Sequence, residues 1–159
     1  MLMEGVDGAR WQDDDQLHLT LRYVGEVDAR AADDVLDALS AVTAPPLVMA
    51  LAGVGRFDRR GRLEALWAGV APHDAVTALH RKLDRALVRA GLEPERRAFL
   101  PHITLARFGR SARADPDRFL ARHAGLAGPP FEVAHFGLYE SVLGATGASY
   151  RLVERWPLA

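Results

Sequence analysis

Two short segments of this chain carry the same pair of side chains. His18 and Thr20 stand in LHLTLRYVG (17–25), and His102 and Thr104 stand in PHITLARFG (101–109). An imidazole titrates near neutrality, so one histidine can accept a proton while the other, still protonated, donates one. In-line displacement at phosphorus needs that division of work. The attacking water is deprotonated on one side while the leaving alkoxide is protonated on the other. Each threonine lies two residues beyond its histidine, on the same face of an extended strand, where its hydroxyl can donate to a non-bridging phosphate oxygen. Hydroxyls, an imidazolium and a nearby arginine can meet the charge of the transition state, so the scheme requires neither metal nor cofactor. A single His-x-Thr is a weak signal. Two copies that share a downstream Leu and Gly are a much stronger one.

Such residues must be held by regular elements. Leu17, Leu19, Leu21 and Tyr23 share one parity and His18, Thr20 and Arg22 the other, which predicts a half-buried strand with Arg22 on the His18 face as a candidate phosphate partner. Helical spacing of Val35, Leu36, Leu39 and Val42 behind Asp28 predicts a helix over 29–42, ended by Pro45 and Pro46. Strands are expected at 47–54 and 63–70 around the turn-rich GRFDRRGR. An amphipathic helix is expected at 73–90, with Val76, Leu79, Leu83 and Leu87 inward and Gly91 at its end. The second His-x-Thr strand follows, then a helix over 116–124 and strands at 131–140 and 149–155. The order of elements around each motif suggests an internal duplication, with the first copy lacking its opening strand and helix.

Composition narrows the function classes. The chain has 159 residues, 49% of them hydrophobic, enough for a sizeable core, and no cysteine, which excludes disulfides, thiolate metal sites and a Cys nucleophile. A net charge of −1 argues against a protein that holds long nucleic acid mainly through its phosphates, so a nucleic-acid partner should be short or gripped at one end. No long apolar run or signal-type N-terminus is apparent, and a cytoplasmic protein without a membrane partner is expected.

The paired motifs resemble those of the 2H phosphoesterase superfamily, specifically its RNA 2′,3′-cyclic phosphodiesterases, historically called 2′-5′ RNA ligases. The likeness runs through ARWQDDDQLHLTLRYVGEV, LAGVGRFDRRGRLEALWAGV, PHITLARF and the tail from Phe131 to Leu158. It implies an α+β fold of two duplicated antiparallel sheets, with outer helices and a central cleft on a pseudo-twofold axis. The first lobe would lie mainly in 17–56 and the second mainly in 62–140, with a C-terminal strand at 149–155. It also implies metal-independent opening of 2′,3′-cyclic phosphates on RNA 3′ ends or small cyclic nucleotides, with 2′-5′ ligation as the reverse. His18 would be the acid at the 3′ oxygen and His102 the base for water. Arg107 matches the family's substrate-contacting arginine; strict alternation puts it on the face opposite His102, so a bulge or the strand's end must re-aim it. The family begins with a strand and helix ahead of its first motif, whereas here seventeen residues precede His18. An uncovered sheet edge, and a homodimer that covers it, are therefore expected.

Other residues carry weaker signals. His73 and His80 read as a polar helix face, His123 as a cation at a helix end, and His135 as a packing residue. Asp13 to Asp15 are too few for a metal cage. Trp67 reads as core, while Phe57 and Tyr23 could offer a ring to a base. GVGRF lacks the context of a phosphate loop. Two rival readings are a non-catalytic binder of RNA ends or nucleotides, and a related phosphodiesterase acting on 2′-5′ oligoadenylate or ADP-ribose cyclic phosphate.

Overall fold

A computed structural model describes residues 1–159. The elements are β1 (Ala9–Trp11), a 3₁₀ turn (Asp14–Gln16), α1 (Ala29–Ser40), β2 (Leu47–Arg59), β3 (Arg62–Ala71) and α2 (His73–Arg89). They continue with β4 (His102–Phe108), α3 (Asp117–His123), β5 (Phe131–Val133), β6 (His135–Gly144) and β7 (Gly147–Pro157). The architecture is α+β, and every strand pairing is antiparallel. No helix is long and apolar enough to cross a membrane.

Contacts divide the chain into two units, each built from three separate stretches of the sequence. The first comprises Met1–Leu19, Ala50–Ala71 and His102–Pro130; the second comprises Thr20–Met49, Pro72–Pro101 and Phe131–Ala159.

In the first unit β4 lies between β1 and β3, and β3 pairs with β2. One face of this sheet is the core. Leu66, Ala68, Ala106 and Phe108 are buried there with Phe119 of α3, and the Trp11 ring packs on Phe119 with centroids 5.8 Å apart. Leu66 has no exposed surface, a burial that contributes about 1.5–3 kcal/mol. β2 and β3 join through Arg60 and Gly61, both with positive φ (53° and 73°), as in a two-residue hairpin turn whose twist matches the strands. That short turn explains a difference from the sequence reading. Residues 55–59 and 62 are ladder rather than loop, because only two residues are needed to reverse the chain.

β2 is also distorted where Ala52 and Gly53 are squeezed out between the Leu51–Val70 and Val54–Ala68 pairs. The displaced backbone finds partners in the segment after α3: Gly53 N–H donates to Leu126 O at 2.8 Å, and Gly128 N–H donates to Leu51 O at 3.1 Å. The Ala52 carbonyl then comes so near β3 that a Cβ at Gly69 would sit 2.4 Å from it, a place only glycine can fill.

In the second unit α1 packs on α2, burying Val35 and Leu39 of the first and Val76, Leu79, Leu83 and Leu87 of the second. Asp28 caps α1, its side chain accepting from Ala31 N–H at 2.8 Å. The helices end slightly earlier than their apolar spacing suggests, at Ser40 and Arg89, the second before Gly91 at φ 106°. The strand expected at 131–140 is two strands. β5 pairs with Leu47–Met49, β6 pairs with β7, and the chain changes partner at Ala134, whose carbonyl accepts Leu158 N–H at 2.8 Å.

Candidate active site

The first His-x-Thr segment differs from the expected strand. Its only ladder contact is the antiparallel bridge of Leu19 to Ile103. β1 runs along β4 as far as Gln12, whose N–H donates to Leu105 O at 2.8 Å. The chain then leaves the edge, makes the 3₁₀ turn and returns at Leu19. Beyond that bridge its backbone is taken up elsewhere: the Leu21 carbonyl accepts from His80 Nδ1 at 2.6 Å, which withdraws it from any ladder.

Register still fixes the faces. Leu19 and Ile103 share a side in an antiparallel bridge, so His18 falls on the opposite side, with His102 and Thr104. His18 is thereby opposite Thr104 and diagonal to His102, a relation that sets such residues about 7–8 Å apart. The 3₁₀ turn preceding it serves this placement. Asp13 N–H donates to Gln16 Oε1 at 2.9 Å to close the turn, and the Gln16 carbonyl lies 2.6 Å from His18 Nδ1. A carbonyl only accepts, so Nδ1 carries a proton, and the ring is exposed.

β4 carries the rest. It pairs with β3 as Gly69 to His102, Ala68 to Ile103 and Trp67 to Thr104, and then as Leu66 to Ala106 and Ala65 to Arg107. Leu105 is an extra residue. Past this bulge the parity of β4 flips, and Arg107 joins His102 and Thr104 on the non-core face. The re-aiming that Arg107 requires is present.

His102 stands among aromatic rings. Phe57 meets it edge-on at 4.9 Å and 84°, and Trp67 lies 6.0 Å away. The Trp67 indole covers Gly55, where a Cβ would lie 2.1 Å from its ring, and its Nε1–H is buried without a hydrogen-bond partner. Trp67, read as core, therefore walls the histidine, as does Phe57, whose role the sequence left open. Only a cross-strand register could have shown this.

Arg22 is held within the second unit. Nε donates to Asp84 Oδ1 at 2.7 Å, Nη1 to Tyr23 O and Nη2 to Glu93 O, and its side chain is 8% exposed. His80, read from its spacing as part of a polar face, is a buried residue. Its ring stacks on Phe99 with centroids 4.2 Å apart and planes 5° apart. The helical periodicity that buries Leu79 and Leu83 also carries His80 inward. Arg22 and His80 together fasten the chain just after the first motif to α2 and the segment following it. His135 is exposed at the start of β6, where the break at Ala134 undoes its shared parity with Val133. Tyr23 is 70% exposed, and His123 closes α3 against Phe119.

With this geometry the family relationship is direct. Residues 7–145 match the model of the 2′-5′ RNA ligase superfamily, and the chain belongs to that family. It is 31% identical over 156 residues to the RNA 2′,3′-cyclic phosphodiesterase of Thermotoga maritima, covering 96% of this chain and 81% of that one. It is 30% identical over 142 residues to the protein of the same name from Aeropyrum pernix, covering 87% and 80%. The crystal structure of Escherichia coli LigT complexed with 3′-AMP superposes with a TM-score of 0.77 at 27% identity, covering 96% of this chain and 82% of that one.

The Asp84 tie sets a pH dependence. Burial pushes its carboxyl up, but the hydrogen bonds from Arg22 and the Glu95 amide and the charges of Arg22 and His80 outweigh burial and hold it below its ordinary value. A depressed carboxyl adds stability that is present above the unfolded pKa of about 3.9 and lost as pH falls through the folded value. Urea unfolding from pH 7 downward is expected to show an acid loss of stability that Asp84→Asn makes shallower, from a lower starting point. An unchanged slope would remove Asp84 from that role.

Proposed function

We propose that this chain opens 2′,3′-cyclic phosphates on RNA ends or small nucleotides to 2′-phosphomonoesters, using His18 and His102 as proton donor and acceptor. The observation that carries this reading is the convergence of His18, His102, Thr104 and Arg107 on one sheet face, in a family whose relatives bear the name RNA 2′,3′-cyclic phosphodiesterase. Water attacks phosphorus as His102 takes its proton. The bond from phosphorus to the 3′ oxygen breaks, and His18 returns a proton to that oxygen, leaving a 2′-phosphate and a free 3′ hydroxyl. Thr20 and Thr104 are the hydroxyl donors for the non-bridging oxygens, and Arg107 is a cation for the substrate. Arg22, whose guanidinium is spent on Asp84 and two carbonyls, is assigned to positioning instead. The reverse direction exchanges the two histidines and joins a 5′ hydroxyl in a 2′-5′ linkage. Metal has no step in this scheme.

Phosphorus NMR of 2′,3′-cyclic AMP with the protein in EDTA should show a new 2′-phosphomonoester signal. His18→Ala and His102→Ala should each slow its appearance about 10²–10⁴-fold, and the double variant should be far less affected than the product of the two, since parts of one catalytic unit are not additive. Near-full activity in either single variant contradicts the mechanism.

A second copy of the chain is the proposed cover for the ribbon of β6 and β7. Two strands alone are marginal in water, and this pair exposes Tyr139, Leu143 and Leu152 on one face. Sedimentation equilibrium should give a dimer mass that Leu152→Asp reduces; a monomer throughout rejects the dimer.

A further inference from the structure

β1 brings one more residue to the site face. Arg10 is directly opposite Arg107 in the ladder of β1 and β4, flanked by the Ala9–Phe108 and Trp11–Ala106 pairs that point into the core. Arg10 therefore shares the face of Arg107, His102 and Thr104, and both arginines are exposed. On its other side Arg107 faces Ala65, so no acidic neighbour in the ladder compensates the pair. Arg22, Arg56, Arg59, Arg96 and Arg151 each have a carboxylate within 4.0 Å, whereas neither Arg10 nor Arg107 does. Like charges directly opposite on neighbouring strands destabilise a sheet. An anion shared between two guanidinium groups reverses that sign, because each can make charge-assisted hydrogen bonds to its oxygens.

Position along the strand says which anion. The reacting phosphate belongs with His18, His102 and Thr104. Arg107 is three residues beyond Thr104, roughly 10 Å of strand, and Arg10 is one strand further toward the edge. A cyclic phosphate carries a single negative charge and can occupy one of these places, not both. The next charge in an RNA substrate is the phosphodiester on the 5′ side of the terminal nucleoside. We infer that Arg10 and Arg107 form a paired-guanidinium subsite for that adjoining phosphodiester, so that the preferred substrate is an oligonucleotide end rather than a free cyclic mononucleotide. The inference rests on the proposed reaction for its register, but phosphate binding tests it separately.

Titration calorimetry with the full chain would compare a triadenylate ending in a 2′-phosphate with 2′-AMP, across a range of salt. Arg10→Gln is expected to weaken the trimer about tenfold more than the mononucleotide, the worth of one hydrogen-bonded charge, and to reduce the slope of log affinity against log salt by about 0.7. Arg10→Glu should weaken the trimer further while raising the melting temperature, since it replaces a repulsive cross-strand pair with an attractive one; a folding defect would lower both. Equal weakening of both ligands, or no weakening and an unchanged salt slope, overturns the subsite. If the wild-type chain turns over no cyclic phosphate yet trimer binding depends on Arg10 in this way, the subsite stands and the proposed reaction falls.

Discussion

One extra residue in a strand arranges the site. Leu105 lets β4 keep its ladder with β3 on both sides of the irregularity while reversing its parity in between. Were residues 102–108 to alternate regularly, His102 and Thr104 would look away from the core and Arg107 would look into it, where an unpaired guanidinium would be costly to bury. The bulge therefore reconciles a packed sheet with a cation on the face of His102 and Thr104. Leu105 itself is buried, so the irregularity is held by the core cluster that includes Val6, Phe108 and Phe119.

The opposite side of the chemistry is held differently. His18 is on no continuous strand. It is set by a turn closed through Gln16, by one bridge at Leu19, and by its Nδ1 contact to the Gln16 carbonyl. Immediately after it, polar side chains of α2 bind the backbone and side chain of residues 21 and 22. A segment fixed by hydrogen bonds and an ion pair responds to pH more than one fixed by apolar packing. Beside His102 stand the rings of Phe57 and Trp67, with centroids 4.9 and 6.0 Å away.

Much of this was legible from sequence, for local reasons. The apolar spacing of Val76, Leu79, Leu83 and Leu87 specified α2, the Asp28 cap specified the start of α1, and the second motif alternated clearly enough to be read as β4. The second histidine is on β4, and the first is on the segment that bridges β4 through Leu19 and Ile103. Non-local facts were not legible. Alternation alone left Arg107 on the wrong face and could only state the need for a bulge. It placed Arg22 beside His18, whereas the approach of Asp84 and the Glu93 carbonyl, more than sixty residues away in the chain, takes up its guanidinium. Arg10 carried no signal, because its meaning comes from the residue across the ladder. The break at Ala134 was hidden by continuous strand-like residues on both sides, where a change of partner leaves no mark in composition.

The division of labour between the histidines is the central claim, and the pH dependence of kcat/KM for 2′,3′-cyclic AMP tests it most directly. A protonated donor and a deprotonated acceptor predict a bell-shaped profile around neutrality. His18→Ala should lose the alkaline limb, and His102→Ala should lose the acid limb. A wild-type profile with a single limb, or a bell that survives in both variants, would contradict the account.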